Sequence, residues 1–243
     1  MQNDSNSINK VIVFDHVGKV FEPTHDMALR DVSFFVRQGE LLSLIGPSGC
    51  GKSTVLKLIA GLIDPSSGRV IKPEKVSMVF QSGALFPWLN VLDNVAIGLS
   101  AKGYPRERAS KESLKYITMT ALGDFIEKFP RELSGGQRQR VGIARALSVD
   151  PEVLLLDEPF AALDPKTANE LHLDILKIRK ETGKTIILVS HLIEEAIGLS
   201  DRILLMKEGA VAAEFPITIP HPRHEQGAAF AADVLKIRKE FFK

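Results

Sequence analysis

The sequence predicts an α/β fold with a mainly parallel sheet, and two observations support this. Three short segments, at residues 41–45, 153–156 and 186–189, consist almost wholly of apolar residues. Such runs are typical of strands that are buried on both faces of a parallel sheet. Segments with helical spacing of apolar residues alternate with them along the chain, which favours repeated strand–helix–strand units.

The composition is that of an ordinary globular protein. The chain has 243 residues, of which 44% are hydrophobic and 25% are charged, and this length suits one large or two small domains. Lys and Arg total 31 against 30 Asp and Glu, and the formal net charge of +1 argues against nucleic acid as a partner. Cys50 is the only cysteine, which excludes an intrachain disulfide.

The sequence predicts neither a targeting signal nor a membrane span. Residues 1–10 are polar and lack the apolar centre of a signal peptide. The longest apolar runs are far shorter than the roughly 18 residues that indicate a spanning helix. We therefore expect a soluble chain that can still sit on a membrane partner.

The predicted elements follow one another at short intervals. Strands are predicted at residues 11–14, 32–36, 41–45 and 76–80, with a helix at 54–60 that ends at Gly61. From residue 92 to about residue 129, apolar residues recur at helical spacing among Lys, Arg and Glu, which predicts a helical insertion. The rest of the chain should hold helices at 137–147, 171–179 and 194–199, strands at 153–156, 186–189, 203–206 and 211–215, a loop at 216–227 and a helix at 228–243.

A glycine-rich loop joins the strand at residues 41–45 to the helix that follows it. This phosphate loop matches the pattern G-x-x-x-x-G-K-[ST] and consists of Gly46, Pro47, Ser48, Gly49, Cys50, Gly51, Lys52, Ser53 and Thr54. Its glycines let backbone N–H groups wrap phosphates closely, and the helix adds the positive end of its dipole. The loop therefore predicts ATP binding, with Lys52 on the β- and γ-phosphates and the Ser53 hydroxyl on Mg²⁺.

This loop has two alternative interpretations. The first is a strand–helix turn without a ligand, which the match of both pattern and context disfavours. The second makes Cys50 a nucleophile. No paired base is evident in the sequence, so Cys50 is better interpreted as a small residue at a variable position of the loop.

Two carboxylates, Asp157 and Glu158, come directly after the apolar strand at residues 153–156. The carboxyl ends of parallel strands open onto the ligand crevice. Asp157 is therefore placed to hold Mg²⁺, directly or through water, and Glu158 is the candidate to polarise the attacking water. A solvated acidic turn is the alternative, which the upstream phosphate loop disfavours.

A further segment, Leu133-Ser134-Gly135-Gly136-Gln137, lies just ahead of the acidic pair. With the phosphate loop it resembles the ATP-binding subunits of ABC transporters, and the likeness covers nearly the whole chain, with several motifs in the family's order and spacing. The resemblance implies a P-loop NTPase core with a mainly parallel sheet, an antiparallel β subdomain and a helical subdomain. It implies a single domain over residues 1–243, with the core and β subdomain at 1–90 and 150–215, the helical subdomain at about 91–149, and a helical tail at 216–243.

Four more residues gain a role from this resemblance. Phe21, after the first strand, would stack on adenine, or else pack in the core as aromatic residues commonly do. Gln81, at the end of a strand, would touch Mg²⁺ and water and sense the membrane subunit. Asp164 would lie in a loop that crosses a dimer interface. His191, beyond a buried strand, would be the switch that contacts the γ-phosphate, although a lone histidine is more often structural.

The signature segment, residues 133–137, is also suited to bind an anion on physical grounds. Ser134 and the N–H groups of Gly135 and Gly136 precede a helix and, with Gln137, form a second anion site. The resemblance implies that this site serves the ATP of another subunit. It therefore implies a head-to-tail homodimer with two ATP at the interface. An isolated monomer would then be a poor ATPase. It also implies transmembrane permease subunits, indirectly a solute-binding protein, and a peripheral position on the cytoplasmic face of the cell membrane.

The segments at residues 85–95, 159–164 and 217–223 are similar to the branch that serves nitrate, sulfonate and taurine importers. Two positions differ from the pattern of that branch. It usually has Met where this chain has Gln137, and it usually has Asp where this chain has Leu192.

Two aromatic residues, Phe86 and Trp88, follow Gln81 at a short distance. In the resembled family this region docks a short helix of the membrane subunit. The alternative is that both residues pack the helical insertion onto the core, since aromatic residues dominate cores and interfaces alike.

The leading hypothesis is that ATP closes a dimer and hydrolysis reopens it, which drives import of a small anion through a membrane partner. A non-transport ABC-type ATPase is one alternative, although the fused domains, long coiled coil or basic arm usual in such relatives are not evident here. A module that binds ATP without hydrolysing it is another, and the set of Lys52, Gln81, Asp157, Glu158 and His191 argues against it. The solute would be recognised by other subunits, so the sequence does not identify it.

Overall fold

Strands and helices alternate along most of the chain in the computed structural model, which describes residues 9–23, 25–221, 223 and 227–243. In chain order the elements are β1 (Lys10–Phe21), β2 (Asp26–Arg37), β3 (Leu41–Ile45), α1 (Lys52–Ala60), β4 (Ser67–Ile71), β5 (Val76–Val79), α2 (Val91–Ala101), α3 (Arg106–Met119), α4 (Gly135–Ser148), β6 (Val153–Asp157), α5 (Pro165–Thr182), β7 (Thr185–Val189), α6 (Ile193–Leu199), β8 (Arg202–Lys207), β9 (Ala210–Pro216) and α7 (Gly227–Phe241). Residues 1–8 of the polar N-terminus, and residues 222 and 224–226 of the predicted loop at 216–227, lie outside the described residues.

Six strands form one sheet in the order β5-β6-β7-β3-β8-β9, and all neighbouring pairs except β8 with β9 are parallel. The central strands β3 and β7 are buried along their whole length, as expected for a sheet with helices on both faces. The predicted α/β fold with a mainly parallel sheet is therefore confirmed. The carboxyl ends of β3, β6 and β7 lie side by side at one edge of this sheet.

A smaller antiparallel sheet has the order β2-β1-β4. Strands β1 and β2 are 12 residues long each, longer than predicted, because register shifts in their pairing interrupt the alternation of apolar residues. The prediction that Phe21 follows the first strand was wrong, since Phe21 is the last residue of β1. Strand β4 was missed because four of its five residues are exposed, so no buried apolar face marks it in the sequence.

Helix α1 lies between the two sheets. Val55 belongs to the same buried cluster as Phe14 of β1 and Leu44 of β3. The opposite face of the parallel sheet is covered by α4 and α5, in a second cluster that includes Leu147 and Leu171. Helix α1 is therefore held on two sides, and the phosphate loop that precedes it starts from a rigid support.

The middle of the chain is helical, as predicted. Helices α2, α3 and α4 meet in a separate buried cluster made of Val91, Val95, Ile117, Leu122, Leu133, Val141 and Ala144. Near the end of the chain, α7 packs on α6, and its bounds agree with the predicted tail helix. Within the described residues, no helix combines the length and the apolarity that crossing a bilayer demands.

Candidate nucleotide site

The residues predicted to bind phosphate and to act on it meet at one edge of the parallel sheet. The phosphate loop leaves β3, Asp157 ends β6 with Glu158 next to it, and His191 follows β7. Together they enclose a cavity of about 220 Å³, lined by Ala28, Ser48, Gly49, Gly51, Lys52, Ser53, Thr54, Glu158 and His191. Ala28 of β2 was not predicted, because no local pattern marks a residue that reaches the site only through the fold.

The backbone of the phosphate loop requires glycine at two positions. Gly51 has φ of 102° and precedes α1, and Gly46 has φ of 151°. A Cβ atom on Gly46 would lie 2.2 Å from the carbonyl oxygen of Met206, which no L side chain tolerates. The loop therefore curls tightly around the start of α1, and Gly51 gives the helix no side-chain cap among the described residues. Lys52, Ser53 and Thr54 of the first helical turn line the cavity, and the N–H groups of a first turn lack partners within their helix.

Lys52 is buried, with 5% of its surface exposed. Its Nζ donates to the carbonyl oxygens of Gly46 at 2.7 Å and Pro47 at 2.9 Å, and it lies 3.7 Å from Sγ of the buried Cys50. A buried ammonium group satisfied only by neutral partners is far from its best environment. A phosphate group beside it would supply the missing negative charge, so this loop fits a nucleotide phosphate.

Asp157 and Ser53 form the part of the site suited to a divalent cation. Ser53 Oγ donates to Asp157 Oδ1 across 3.4 Å, a long contact. Burial, and secondarily the neighbouring Glu158, raises the pKa of the Asp157 carboxyl, so a cation here would relieve an unfavourable charge. The described residues contain no cluster of three acidic, His or Cys ligands. This set fits Mg²⁺, which commonly takes one or two protein oxygens plus substrate phosphates.

Glu158 and His191 contact each other at the mouth of the cavity. His191 Nε2 lies 2.5 Å from Glu158 Oε1. The Glu158 N–H donates to the Val189 carbonyl at 3.1 Å, and its φ is 49°, an uncommon value for a side chain of this size that clusters at functional sites. Strands β6 and β7 are neighbours, which is why two residues 33 positions apart come together. The sequence predicted both residues but not their contact.

Gln81 and Phe21 are among the predicted site residues that do not line this cavity. Gln81 is exposed in the turn after β5, which ends at Val79 rather than at the predicted residue 80. Phe21 is half-buried at the end of β1, with Nζ of Lys19 placed 5.3 Å from its ring centre. Neither residue is among those that line the cavity within the described part of the chain. Their roles remain predictions.

Comparison with known proteins agrees with this geometry. The family model described as ABC transporter matches residues 29–161. The chain belongs to the ABC transporter family. Within it the chain is an ATP-binding subunit, and its function as an ATPase follows. It is 46% identical over 201 residues to the taurine import ATP-binding protein TauB of Roseobacter denitrificans, which covers 79% of this chain and 75% of that protein.

Two further relatives widen the comparison. The Fe(3+) ions import ATP-binding protein FbpC 1 of Rhizobium meliloti is 42% identical over 236 residues, or 92% of this chain, and the chain spans 65% of its length. A dimeric ATP-binding cassette in a post-hydrolysis state, bound to ADP and Pi, superposes with a TM-score of 0.76 at 34% identity. That superposition covers 86% of this chain and all of the other.

The signature segment of this ABC protein opens α4. The sequence placed Gly135 and Gly136 before the helix, and this was wrong because α4 begins at Gly135 with Ser134 as its N-cap. Ser134 Oγ accepts from the Gln137 N–H at 3.2 Å, and Gln137 Oε1 accepts from the Ser134 N–H at 2.8 Å. These reciprocal bonds form a capping box. Gln137 therefore has a structural partner in this chain, whatever further role it has.

Asp164 occupies the equivalent position on α5. Its carboxylate accepts from the N–H groups of Lys166 and Thr167, each at 3.1 Å, and from the Thr167 hydroxyl at 2.6 Å. These bonds, led by the one from the hydroxyl, lower the pKa of Asp164. The structure thus makes Asp164 a helix cap at an exposed loop, and its predicted place in a dimer interface remains a prediction.

The two aromatic residues after Gln81 differ in exposure. Trp88 is 69% exposed, whereas Phe86 is half-buried. The Phe86 ring lies 5.5 Å from that of Trp88 and 5.7 Å from the Arg145 guanidinium, and Asn94 bonds to its backbone N–H and carbonyl. Phe86 therefore fixes this loop to the helical region, while Trp88 presents a large apolar surface to solvent.

Proposed function

We propose that this ABC protein works as a head-to-tail homodimer that binds two ATP at its interface and powers import of a small solute through permease subunits, from the cytoplasmic face of the membrane. The contact between Glu158 and His191 at the mouth of the phosphate cavity carries this proposal. A carboxylate in reach of the γ-phosphate position and oriented by a histidine is suited to activate a water molecule. A module that only holds ATP has no need of such a pair.

Each residue of the site has a proposed task. Lys52 and the N–H groups of the phosphate loop hold the β- and γ-phosphates, and Ser53, Gln81 and Asp157 hold Mg²⁺. When bound, Mg²⁺ neutralises charge on the phosphate oxygens during transfer. Glu158 takes the proton of the attacking water.

His191 keeps the Glu158 carboxylate oriented and contacts the γ-phosphate in this scheme. Its 2.5 Å contact with Glu158 Oε1 supports the first part. Phe21 is assigned to the adenine ring, because it is a half-buried aromatic residue on the antiparallel sheet. Aromatic rings offer a face on which a base can stack.

The dimer is inferred because the anion-binding groups of one chain lie in two separate places. The signature segment opens α4, whereas the phosphate cavity lies at the carboxyl ends of β3, β6 and β7. A second chain placed head-to-tail brings its Ser134, Gly135 and Gly136 to the nucleotide held by the first, and Asp164 lies at the same interface. The dimeric cassette that resembles this chain supports this arrangement.

The solute is proposed to be an anion of the taurine, sulfonate or nitrate class. Two observations support this: the similarity of residues 85–95 and 217–223 to that branch, and the 46% identity to a taurine import protein. A relative named for Fe(3+) import is 42% identical over a longer stretch, so the class needs a direct test. Purification of the chain from its native membrane, with identification of the permease and solute-binding protein that come with it, provides one. Transport by that complex of taurine, nitrate or Fe³⁺, each in competition with the others, then decides among them.

Phosphate release at saturating Mg-ATP tests the hydrolytic part, with the permease complex present. Glu158→Gln should lower kcat by about 10²-fold or more, the usual contribution of a general base, while ATP binding persists and the closed dimer accumulates. Glu152→Gln, at an exposed glutamate that takes no part in the site, is the matched control and should leave kcat unchanged. Normal turnover by Glu158→Gln would rule out the assignment of the base.

A further inference from the structure

The short helix α6 determines where His191 lies. It spans seven residues, Ile193–Leu199, and starts two residues after His191. The N-cap residue Leu192 provides no side-chain cap within the described chain. Ser190 ties the preceding chain to the helix, since its Oγ accepts from the Leu192 N–H at 3.0 Å and donates to Glu195 Oε2 at 2.5 Å. His191 thus sits between two residues that are both tied to α6, and a helix of two turns has little stability of its own.

One side of α6 is only partly packed, through Leu199, which shares a buried cluster with Leu171 of α5. A cavity of about 530 Å³ separates α6 from α5, with Leu173 and Leu176 on the α5 side and Phe230 at one end. Glu158 and His191 line this cavity as well as the phosphate cavity, so they form the wall between the two. Because α6 has free space on this side, its position depends on the contacts that it makes on its other sides.

Besides the apolar packing of α6 on α7, Arg223 makes a buried polar contact with the end of α6. It is 4% exposed, and its guanidinium donates to three backbone carbonyls: Ile219 at 2.5 Å, Ile197 at 2.9 Å, and Ser200. Ile197 belongs to the last turn of α6 and Ser200 is its C-cap, where carbonyl groups lack partners within the helix. A cation at the C-terminal end of a helix also interacts favourably with the helix dipole. The segment at 217–223 thereby fixes the far end of α6.

A second arginine of the tail contacts the near end of α6, and more weakly. Arg238 Nη2 of α7 lies 2.6 Å from Glu194 Oε1, with the side chains 52% and 45% exposed. An ion pair this exposed contributes little to stability. Arg223 is buried and its carbonyl partners would be left unpaired without it, so its loss should move α6 more than the loss of Arg238 would.

We propose that Arg223 is a positioning residue for ATP hydrolysis, which holds α6 so that His191 stays against Glu158. This inference rests on the proposed function, because it assumes that His191 and Glu158 act in the reaction. It gives a task to the segment at residues 217–223, which the sequence singled out and which the nucleotide site itself does not use. Arg223 lies at the opposite end of α6 from His191 and acts through the helix.

Steady-state ATPase kinetics of the chain in complex with its permease test the proposal. Arg223→Gln should lower kcat about tenfold, since small displacements of catalytic groups are costly, while KM for ATP changes less than twofold. Arg223→Lys should lower kcat less than Arg223→Gln does, because an ammonium group still donates to the carbonyls. The recovery should be partial, because the ammonium group reaches fewer of the three carbonyls. Should Arg223→Gln not fold, Arg223→Lys carries the same test with a smaller expected drop.

A matched control separates positioning from stability. Arg202 is also buried, at 3% exposure, and its guanidinium pairs with Glu40 and Glu214, away from His191. Arg202→Lys should lower the melting temperature, and kcat measured well below that temperature should stay within twofold of the wild type. If Arg202→Lys and Arg223→Lys lower kcat equally, the effect is general destabilisation and the proposal is wrong.

A double-mutant cycle decides whether Arg223 acts through His191. In the His191→Ala background, Arg223→Gln should leave kcat unchanged, because the group that it positions has gone. An equal tenfold loss in both backgrounds would overturn the proposal. If His191→Ala alone retains normal kcat, the role given to His191 under the proposed function fails instead, so the two failures are distinguishable.

Discussion

The two helices that begin at glycine-rich segments, α1 and α4, differ in whether a side chain caps their first turn. Helix α1 follows Gly51, which offers no side-chain cap within the described chain. Helix α4 follows Ser134, whose hydroxyl accepts from Gln137 while the Gln137 side chain accepts from Ser134. Both helix ends carry the positive end of a dipole, but at α4 the capping box already occupies the Gln137 N–H, whereas no side chain in the described chain caps α1.

This difference explains how one chain can hold a strong and a weak anion site. A phosphate at α1 also meets the buried Lys52 and replaces no internal hydrogen bond of a side-chain cap. A phosphate at α4 meets fewer free donors, because the capping box already occupies the Gln137 N–H, and it meets no buried lysine. We therefore expect the phosphate loop to bind nucleotide in a single chain, and the signature segment to contribute only when another subunit presents an ATP already bound.

A third helix shows the opposite extreme. Asp164 caps α5 with a carboxylate that accepts from Lys166 and Thr167. Its negative charge repels a phosphate at this helix end. The three N-termini thus form a series, from uncapped through neutral cap to anionic cap, and the predicted nucleotide contact of Asp164 at the third remains a prediction.

The largest effect is expected at the uncapped end. Lys52→Ala removes a buried ammonium group, and a hydrogen bond to a charged group contributes about 1.5–3 kcal/mol, so ATP affinity should fall about 10- to 100-fold. Lys57→Ala, at an exposed lysine on the same helix, is the control and should change affinity less than twofold. Titration with a fluorescent nucleotide at fixed Mg²⁺ gives both values. An affinity for Lys52→Ala near that of the wild type would mean that the N–H groups alone hold the phosphates.

How far the sequence predicted these sites depends on how local each signal is. The phosphate loop is contiguous, so its pattern included each of the loop residues that line the cavity, namely Ser48, Gly49, Gly51, Lys52, Ser53 and Thr54. The capping box of Ser134 and Gln137 is also local, and the S-x-x-Q spacing could have placed the start of α4 correctly. The glycines obscured it, because glycine is a poor helix former.

Contacts that depend on tertiary structure could not be predicted in the same way. The approach of Glu158 to His191 requires that β6 and β7 be neighbours in register, and sequence patterns fix burial better than strand order. No sequence pattern around Arg223 reveals its contacts with α6 either. Two of the three carbonyls that it binds belong to the end of α6, which is distant in the sequence. The sequence was therefore sufficient to predict the fold class, but it was not sufficient to predict the contacts between elements that lie far apart along the chain.

The next effect concerns the packing of α4 against α5. A Cβ atom on Gly136 would lie 2.3 Å from Cγ2 of Thr167, whereas one on Gly135 would lie 3.4 Å from Cδ2 of Leu163, an ordinary contact. Gly136→Ala should lower the free energy of unfolding by about 1–3 kcal/mol. Gly135→Ala should change it by less than about 0.5 kcal/mol. Denaturant unfolding of both variants measures the difference, and equal values would show that Thr167 gives way without strain.

A smaller effect tests the capping box itself. Ser134→Ala should lower the free energy of unfolding by about 1 kcal/mol and leave the ATP affinity of a dilute single chain unchanged. Ser134→Asp is the matched variant, because aspartate caps a helix as well as serine does but carries a negative charge. It should restore stability and still lower the ATPase rate of the dimer. If Ser134→Asp restored both, the hydroxyl would serve the helix only and the second anion site would lie elsewhere.

The smallest effect is expected for Asp157, and it depends on pH. Burial raises the pKa of this carboxyl, so the folded chain binds a proton at pH values where the unfolded chain has lost it. The stability that this proton provides is lost as pH rises from the unfolded pKa through the folded one, and it stays lost at neutral pH.

Asp157→Asn removes this loss and should therefore raise the melting temperature of the nucleotide-free chain by about 1–2 °C at pH 7, a value reduced by solvent screening. The rise should shrink as pH falls toward 4. With saturating Mg-ATP the order should reverse, because the wild type keeps the carboxylate that a cation stabilises and the variant does not. A variant that stays more stable than the wild type even with Mg-ATP would mean that the α1 site holds its nucleotide without a cation on Asp157, and the contrast with α4 would then rest on Lys52 and the N–H groups alone.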